Sequence, residues 1–472
     1  MSSFAGLQLA QRGLGAAQQT LLIAAQNVDN VATPGYTRQR VEQSALAPAA
    51  VTRGSLASPV GAGLTVTGIS RLGDALLDAG VRTSAAAAGY AEVRATTYGS
   101  LEDAYGEPGT TALSGRLSAF WSAWSDLANN PDEPGAGVAV LQAGRDLGAS
   151  LATARTAVTT QWRDRRADVD ALTSQVNAAA GRLAELNRVI GSTTAAGGTA
   201  NELIDERARL AETLASTAGA TAQLQPDGGM TVRLNGTWLV SGTAARVLTV
   251  TGPADPASGA PVRVSWQDTP GTPVALTGGE LAATLSVLAP ADDAGTGGPI
   301  AEAAAALDGI AGDLATAVNT AHNAGTTRSG SPAGDFFALD PRRPAAAGLT
   351  VVPTDPAALA TAARGSGPLD GTAAAGLARV GSGPDSPDRR WATAVAALGA
   401  AARSATGQQT ITAAAAGAAR SSQTSSGSVS LDEENVTLVS AQYAYQAAAR
   451  VLTTMDETLD ILINRTGTVG LR

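Results

Sequence analysis

The sequence predicts a mainly α protein with an inserted β-rich domain: paired N- and C-terminal coiled-coil helices, a long antiparallel helical bundle and an outer β domain. Three observations carry that expectation. Alanine supplies 102 of the 472 residues, and alanine loses no side-chain entropy in a helix. Each end of the chain carries a heptad seam, with apolar residues three and four apart in alternation. Residues 220–290 are instead rich in Gly, Pro, Thr and Val, the composition of short strands and turns.

The first seam runs through Leu7, Ala10, Leu14, Ala17, Leu21, Ala24, Val28 and Val31. Thr33-Pro34-Gly35 should end this helix, because a proline disfavours helix at the residue before it. Gly6, Gly13 and Gly15 weaken it, since an interior glycine costs about 1 kcal/mol relative to alanine. Such a helix needs a partner. The second seam can supply one through Leu438, Ala441, Tyr445, Ala448, Leu452, Met455, Leu459 and Leu462. At its start Ser430 and Glu433 have capping-box spacing, and Asp432, Glu433 and Glu434 place negative charge at the positive end of the helix. At about 1.5 Å per residue both seams run roughly 35–40 Å, so the chain ends match in length.

Between the ends, Leu113, Leu117, Phe120, Trp121, Trp124 and Leu127 mark one helical face. A longer helix carries Val169, Leu172, Val176, Ala179, Leu183, Leu186 and Ile190. Leu203, Ile204, Leu210 and Leu214 suggest a shorter helix that returns after the Gly197-Gly198 break. Short strands are expected at 222–224, 230–234, 238–240, 247–250 and 262–266, with Pro226-Asp227-Gly228-Gly229 as a hairpin turn. Helix should return over 300–322, loops and short helices should fill 325–390, and helix should resume at 391–398 and 410–419. These expectations divide the chain into a terminal coiled-coil assembly domain (1–40 with 426–472), a helical rod (41–219 with 296–425) and the outer β domain (220–295).

Composition removes several function classes. The chain has no cysteine and one histidine, which leaves no thiolate chemistry, no disulfides and no zinc, haem or iron–sulfur site built from ordinary ligands. It has no lysine, so its 32 basic charges are all arginine, and 32 − 41 acids gives a net charge of −9. That balance argues against nucleic-acid or anionic-membrane partners. No apolar run approaches the ~18 residues of a transmembrane helix. Gln and Arg interrupt the apolar stretches of the first 20 residues, so no cleaved signal peptide is expected.

Chemistry-bearing motifs are equally sparse. His322 stands in Asn319-Thr-Ala-His322-Asn323-Ala-Gly325, which reads as a helix end, and a hydrogen-bonded structural histidine is expected there. Gly295-Thr296-Gly297-Gly298 lacks the lysine and preceding strand of a phosphate loop. Asp292-Asp293 reads as a solvated turn, and Arg163, Arg165 and Arg166 among Asp164, Asp168 and Asp170 as a charge-laced helix face. No catalytic, cofactor-binding or metal-ligating residue is expected.

Two segments go beyond generic periodicity. Asn27, Asn30, Thr33, Pro34, Gly35, Tyr36, Thr37 and Arg38 stand in the run AQNVDNVATPGYTRQ. Leu431, Asp432, Glu433 and Glu434 precede Leu438, Gln442, Tyr443 and Tyr445. Together they resemble the terminal signatures of the bacterial flagellar rod, hook and hook-associated proteins, and TPGYTRQ with LDEE is most similar to the hook-associated branch at the hook–filament junction. Asn129-Asn130-Pro131-Asp132, Asn201 to Leu210, Asn319 to Gly325 and Gly334-Asp335-Phe336-Phe337 resemble that branch in the same order. Longer members carry a further β-rich insertion after the Phe-Phe segment. Here low-complexity sequence follows, so that insertion is expected to be reduced or absent.

The resemblance implies a structural, non-enzymatic component of the bacterial flagellum that joins hook to filament. It implies unfolded export through the flagellar type III apparatus and an extracellular location. The implied partners are copies of the chain in a junction ring or tube, the hook protein, a second hook–filament junction protein, and an export chaperone on the C-terminal helix. Leu7, Leu14, Leu21, Val28, Leu438, Tyr445, Leu452 and Leu459 are the expected assembly interface, ordering on assembly. Another axial component (hook or distal rod) and a secreted coiled-coil effector or adhesin are the alternatives.

Overall fold

The computed structural model describes residues 3–46 and 63–465. Helix α1 (Ser3–Asp29) stops before the proline. Asn30 Nδ2 donates back to Gln26 O at 3.0 Å and Thr33 Oγ1 donates to Asn30 Oδ1 at 3.1 Å, so side-chain bonds turn the chain earlier than Pro34 would.

The C-terminal helix, α11 (Leu431–Asp460), lies antiparallel to α1: Gly6 faces Met455 and Gly13 faces Ala448. A Cβ on Gly6 would sit 2.7 Å from Met455 Cε, and one on Gly13 would sit 3.9 Å from Ala448 Cβ. Two of the three glycines thus lie where the helices approach, whereas nothing comes within 4 Å of a Cβ on Gly15. Ala10, Ala16, Ala17, Ile23, Ala24 and Ala441 are buried, so small side chains bring the pair together.

Strands β1 (Gln39–Ala45) and β2 (Leu64–Arg71) form an antiparallel ladder beside α1, with Gln39 opposite Arg71 and a bulge at Glu42/Gln43. The sequence places this stretch in the helical rod. Eighteen residues (46–63) separate the two strands in the sequence, so the usual two-residue hairpin signal is missing.

Helix α2 (Ala75–Tyr105) pairs antiparallel with a distant partner near the C-terminus. The connecting elements are α3 (Leu113–Asn129), α4 (Pro134–Ala195) and α5 (Asn201–Ala218). The apolar faces expected on α3 and α4 are buried, apart from the half-buried Leu172. At 62 residues, α4 spans about 90 Å.

A four-stranded antiparallel sheet follows, in the order β3 (Thr221–Leu224), β4 (Met230–Leu234), β5 (Thr237–Ser241), β6 (Ala244–Ala245). Strands β7 (Leu248–Thr251) and β8 (Arg263–Trp266) pair separately. The five expected strands match β3, β4, β5, β7 and β8. Helix α6 (Gly279–Val287) also lies in this segment and was not expected, although Leu281, Leu285 and Leu288 recur at helical spacing.

Helix α7 (Pro299–Ala324) leads into a region expected as loops and short helices. It contains two small ladders instead: β9 (Gly325–Thr327) with β12 (Ala360–Ala363), and β10 (Phe337–Leu339) with β11 (Leu349–Val351). Helices α8 (Ala345–Gly348) and α9 (Thr372–Ala378) complete it. These strands have three or four residues each, too few for a period of two to register. Helix α10 (Pro387–Gly427) is one continuous helix rather than the two expected pieces, and it is the partner of α2. Gln423 Nε2 donates to Asp78 Oδ1 at one end, and the Tyr105 and Trp391 rings lie 4.5 Å apart at the other.

Leu117, Phe120 and Trp124 of α3, Leu147 and Leu151 of α4, Val232 and Leu239 of the sheet, Leu314 of α7 and Phe336 all belong to one continuous buried cluster. The β-rich segment shares its core with the helices.

Asparagines tie crossing segments to the helices. Asn177 Nδ2 donates to Leu248 O at 2.9 Å, and Leu248 N–H donates to Asn177 Oδ1 at 2.8 Å. Asn187 treats Met230 in the same way (2.9 and 3.0 Å). Asn319 binds Phe337 O and the N–H groups of Phe336 and Phe337. A carboxamide carries the donor and acceptor of a peptide group, so each asparagine acts as a one-residue strand partner.

Candidate functional site

The two terminal signatures, hundreds of residues apart, meet in space. Arg38 Nη1 reaches Glu433 Oε2 at 2.5 Å, and Arg38 Nε reaches Glu434 Oε1 at 2.6 Å. The Glu434 side chain is 2% exposed and that of Glu433 63% exposed. Burial opposes the charge on Arg38, but the hydrogen bonds to both carboxylates outweigh it and raise its pKa. The Arg38 backbone N–H donates to Gly427 O at the end of α10, and its carbonyl accepts from Leu72 N–H after β2. One residue therefore ties α11, α10 and the β1–β2 ladder.

This changes the reading of the acidic trio. Ser430 Oγ accepts from Glu433 N–H at 3.5 Å, which is half of a capping box. The Glu433 carboxylate turns to Arg38 instead of completing the box, and Glu434 is held by the same guanidinium. Asp432 and Leu431 stay exposed on the first turn.

The rest of the N-terminal signature is fastened to α5. Asn27 clamps Gln39 through N–H and C=O at 3.0 and 2.9 Å, and Tyr36 OH donates to the same Asn27 Oδ1 at 2.9 Å. Burial, then the charges of Glu202 and Asp205, push the Tyr36 hydroxyl up to about 12. Thr37 N–H donates to Asp205 Oδ2 at 3.1 Å, and Arg71 pairs with Asp205 Oδ1 at 2.6 Å. Burial raises the pKa of Asp205, with Arg71 as the main opposing influence. Gln26 and Gln39 both donate to Glu202 Oε1, and Asn201 Nδ2 donates to Gln39 Oε1 at 2.9 Å. Gly35 has φ of +75°, and a Cβ there would lie 2.8 Å from Arg209 Cδ, so both conformation and space favour glycine. Of the remaining signature residues, Asn30 and Thr33 form the turn, and Thr33 and Pro34 are exposed.

Asn201, Glu202 and Asp205 form the receiving side of this joint, and Arg207 faces the other way. Its Nη1 donates to Asn187 Oδ1 at 3.0 Å and to Gly228 O at 2.8 Å, which links the joint to the sheet. Arg71, Gln39 and Glu202 were not foreseen as site residues. Arg71 ends an eight-residue strand outside both signatures, whereas Gln39 closes the N-terminal signature run and Glu202 sits inside the Asn201–Leu210 segment singled out from the sequence.

The heptad residues are partly covered in the single chain. Leu7, Leu14, Leu21 and Val28 are half-buried on α1, as are Leu438, Leu452 and Leu459 on α11. Tyr445 is 39% exposed. A different stripe of α11 faces outward, with Val436 at 70%, Val439 at 50%, Tyr443 at 68% and Val451 at 45% exposure.

The joint is a dense polar network that fixes orientation, although Arg71 Nε and Arg207 Nε are buried without a hydrogen-bond partner among the described residues. His322 is occupied at both nitrogens: Nδ1 lies 2.6 Å from Gly334 O, and Nε2 accepts from Ala360 N–H at 3.0 Å. Burial lowers its pKa. Asp292 accepts from Ala294 and Thr296 in a local turn. Among the described residues no group of three or more acidic or histidine side chains is placed to hold a metal ion, and no helix is long and apolar enough to cross a membrane.

Fold and joint together define a class: an elongated helical protein whose two termini form one antiparallel pair buckled to a rod. The chain matches the family described as "Flagellar hook-associated protein FlgK helical domain" over residues 98–337, and "Flagellar basal body rod FlgEFG protein C-terminal" over residues 425–465. It belongs to the flagellar hook-associated protein FlgK family. It is 28% identical over 511 residues to flagellar hook-associated protein 1 of Bacillus subtilis, covering 99% of each chain. It is 28% identical over 340 residues to the protein of that name from Escherichia coli, covering 70% of this chain and 59% of the relative. The flagellar hook junction protein FlgK from Burkholderia pseudomallei has the same fold, with a TM-score of 0.63 at 14% identity over 74% of this chain and 100% of that one.

Proposed function

We propose that this chain is a structural, non-enzymatic subunit of the flagellum that joins hook to filament and passes torque between them. The carrying observation is the joint, in which Arg38 of one terminal signature holds Glu433 and Glu434 of the other. A terminal pair fixed to its rod moves with the rod, as torque transmission requires. A hook or distal rod protein is the competing reading, and the helical-domain match over residues 98–337 favours the junction.

Copies of the chain assemble into a ring or tube through the terminal pair. The seam residues hold α1 to α11, so contacts between copies fall to the outward stripe of Val436, Val439, Tyr443 and Val451. Each such side chain contributes roughly 1.5–3 kcal/mol when a neighbour covers it. The hook protein lies below and the second junction protein above. The chain leaves the cell unfolded through the type III apparatus, with a chaperone on α11, and acts outside it.

Tyr443→Asp tests the reading, because that side chain is exposed in the single chain. The expected outcome is a folded monomer that fails to support filaments in a deletion strain, whereas Leu452→Asp also loosens α1 from α11. Normal filaments with Tyr443→Asp and Val439→Asp combined overturn the assembly surface. Normal filaments in the deletion strain itself overturn the junction role.

A further inference from the structure

The asparagines of this chain are held to very different degrees. Asn27, Asn177, Asn187 and Asn319 have both carboxamide atoms tied to backbone groups. Asn235 is the opposite case. It opens the two-residue turn between β4 and β5, where Leu234 pairs with Thr237. Its φ of +42° is the only positive value at a non-glycine position among the described residues, and Gly236 follows with +86°. Both residues are exposed. Among the described residues the Asn235 side chain has no hydrogen-bond partner, and the Gly236 N–H has no acceptor.

We infer that Asn235–Gly236 is a site of spontaneous deamidation, an ageing point on the outer hairpin. The Gly236 nitrogen attacks Asn235 Cγ; the side-chain nitrogen leaves as ammonia, taking the Gly236 amide proton with it, and a five-membered succinimide remains. Water then opens one of the two imide carbonyls. Opening at Cγ gives aspartate, and opening at the backbone carbonyl gives isoaspartate with the chain rerouted through Cγ. No oxidant, reductant or enzyme is needed. Glycine favours the step because no Cβ crowds the attacking nitrogen. The clamped asparagines are protected, because their carboxamides are held against other backbone groups.

The two products differ in consequence. Aspartate places a negative charge beside Arg233, whose Nη1 already donates to Gly236 O at 3.0 Å. Isoaspartate adds a backbone carbon to a two-residue turn, which can no longer close in the same register. Because the reaction needs no enzyme, the converted fraction grows with the age of the subunits.

The test is peptide mass spectrometry of the purified full chain, held folded at mildly alkaline pH. Asn235 is expected to convert about tenfold faster than Asn187 or Asn319, with isoaspartate detectable. Asn235→Asp, which has no ammonia to lose, should show no mass gain in the same peptide. Equal conversion at the clamped asparagines overturns the inference, as does conversion of Asn235 only in urea-unfolded chain.

Discussion

Arg38→Ala isolates the bond between the two signatures. The substitution keeps the backbone bonds of residue 38 to Gly427 and Leu72 and removes only the guanidinium. Its two carboxylate partners do not weigh equally. Glu433, at 63% exposure, regains water, and an exposed pair of that kind is worth under about 1 kcal/mol. Glu434, at 2% exposure, is stranded. Breaking a buried pair costs roughly 3–5 kcal/mol, and the 22% exposure of Arg38 argues for the lower end, about 3. That cost should appear as local opening of α11, about a hundredfold faster by hydrogen exchange, since about 1.4 kcal/mol is tenfold. Adding Glu434→Gln removes the stranded charge and should recover most of the loss. Acceleration of less than about threefold, or a double variant no better than Arg38→Ala, refutes the reasoning.

The remaining predictions concern pH and glycine. His322 has an ordinary value of 6.5 that burial lowers in the folded chain. As pH falls through that value the unfolded chain takes up a proton that the folded chain refuses. Stability is therefore lost at up to about 1.4 kcal/mol per pH unit until the lower folded value is reached. Denaturant unfolding across that window should show a flatter profile for His322→Gln than for the unaltered chain, and parallel profiles contradict the assignment. Gly15→Ala and Gly219→Ala should have opposite signs. Nothing crowds a Cβ on Gly15 inside α1, so alanine should stabilise the terminal pair by about 0.5–1 kcal/mol. Gly219 has φ of +66° and its Cβ would lie 2.5 Å from Gly278 O, so alanine should destabilise by at least about 2 kcal/mol in thermal unfolding. Equal melting points for Gly219→Ala and the unaltered chain contradict the close approach.

Legibility from the sequence followed side-chain size and separation. Helix α3 and the 169–190 part of α4 were readable because large apolar residues recur on one face, and β3, β4, β5, β7 and β8 because short apolar runs sit between turn residues, whereas the two-residue β6 was not expected. Helix α2 was not, because its buried face is built largely from small residues such as Ala91, Ala95 and Thr97 rather than a stripe of large ones. The joint was half legible. Its two signatures stood out as runs of specific polar residues, but their mutual recognition is a contact across 395 residues. Local rules offered a helix dipole and a capping box: the acids do sit on the first turn and Ser430 does cap the Glu433 N–H, but the carboxylates of Glu433 and Glu434 turn to a distant guanidinium. Gln39 closes the N-terminal signature, but its pairing with α5, like that of Arg71, is a property of the assembled fold.

The helix-borne asparagines carry a consequence for divergence. Asn177, Asn187 and Asn319 grip N–H and C=O groups and never the side chain of the residue they hold. Such a grip is indifferent to what is written along the gripped strand. Leu248 or Met230 can be exchanged for other apolar residues, and the loops beyond them can lengthen or shrink, while the asparagine itself admits no substitute with the same pair of atoms at the same reach. Outer segments can therefore be rewritten around a constant scaffold, with only a handful of carboxamides kept in place.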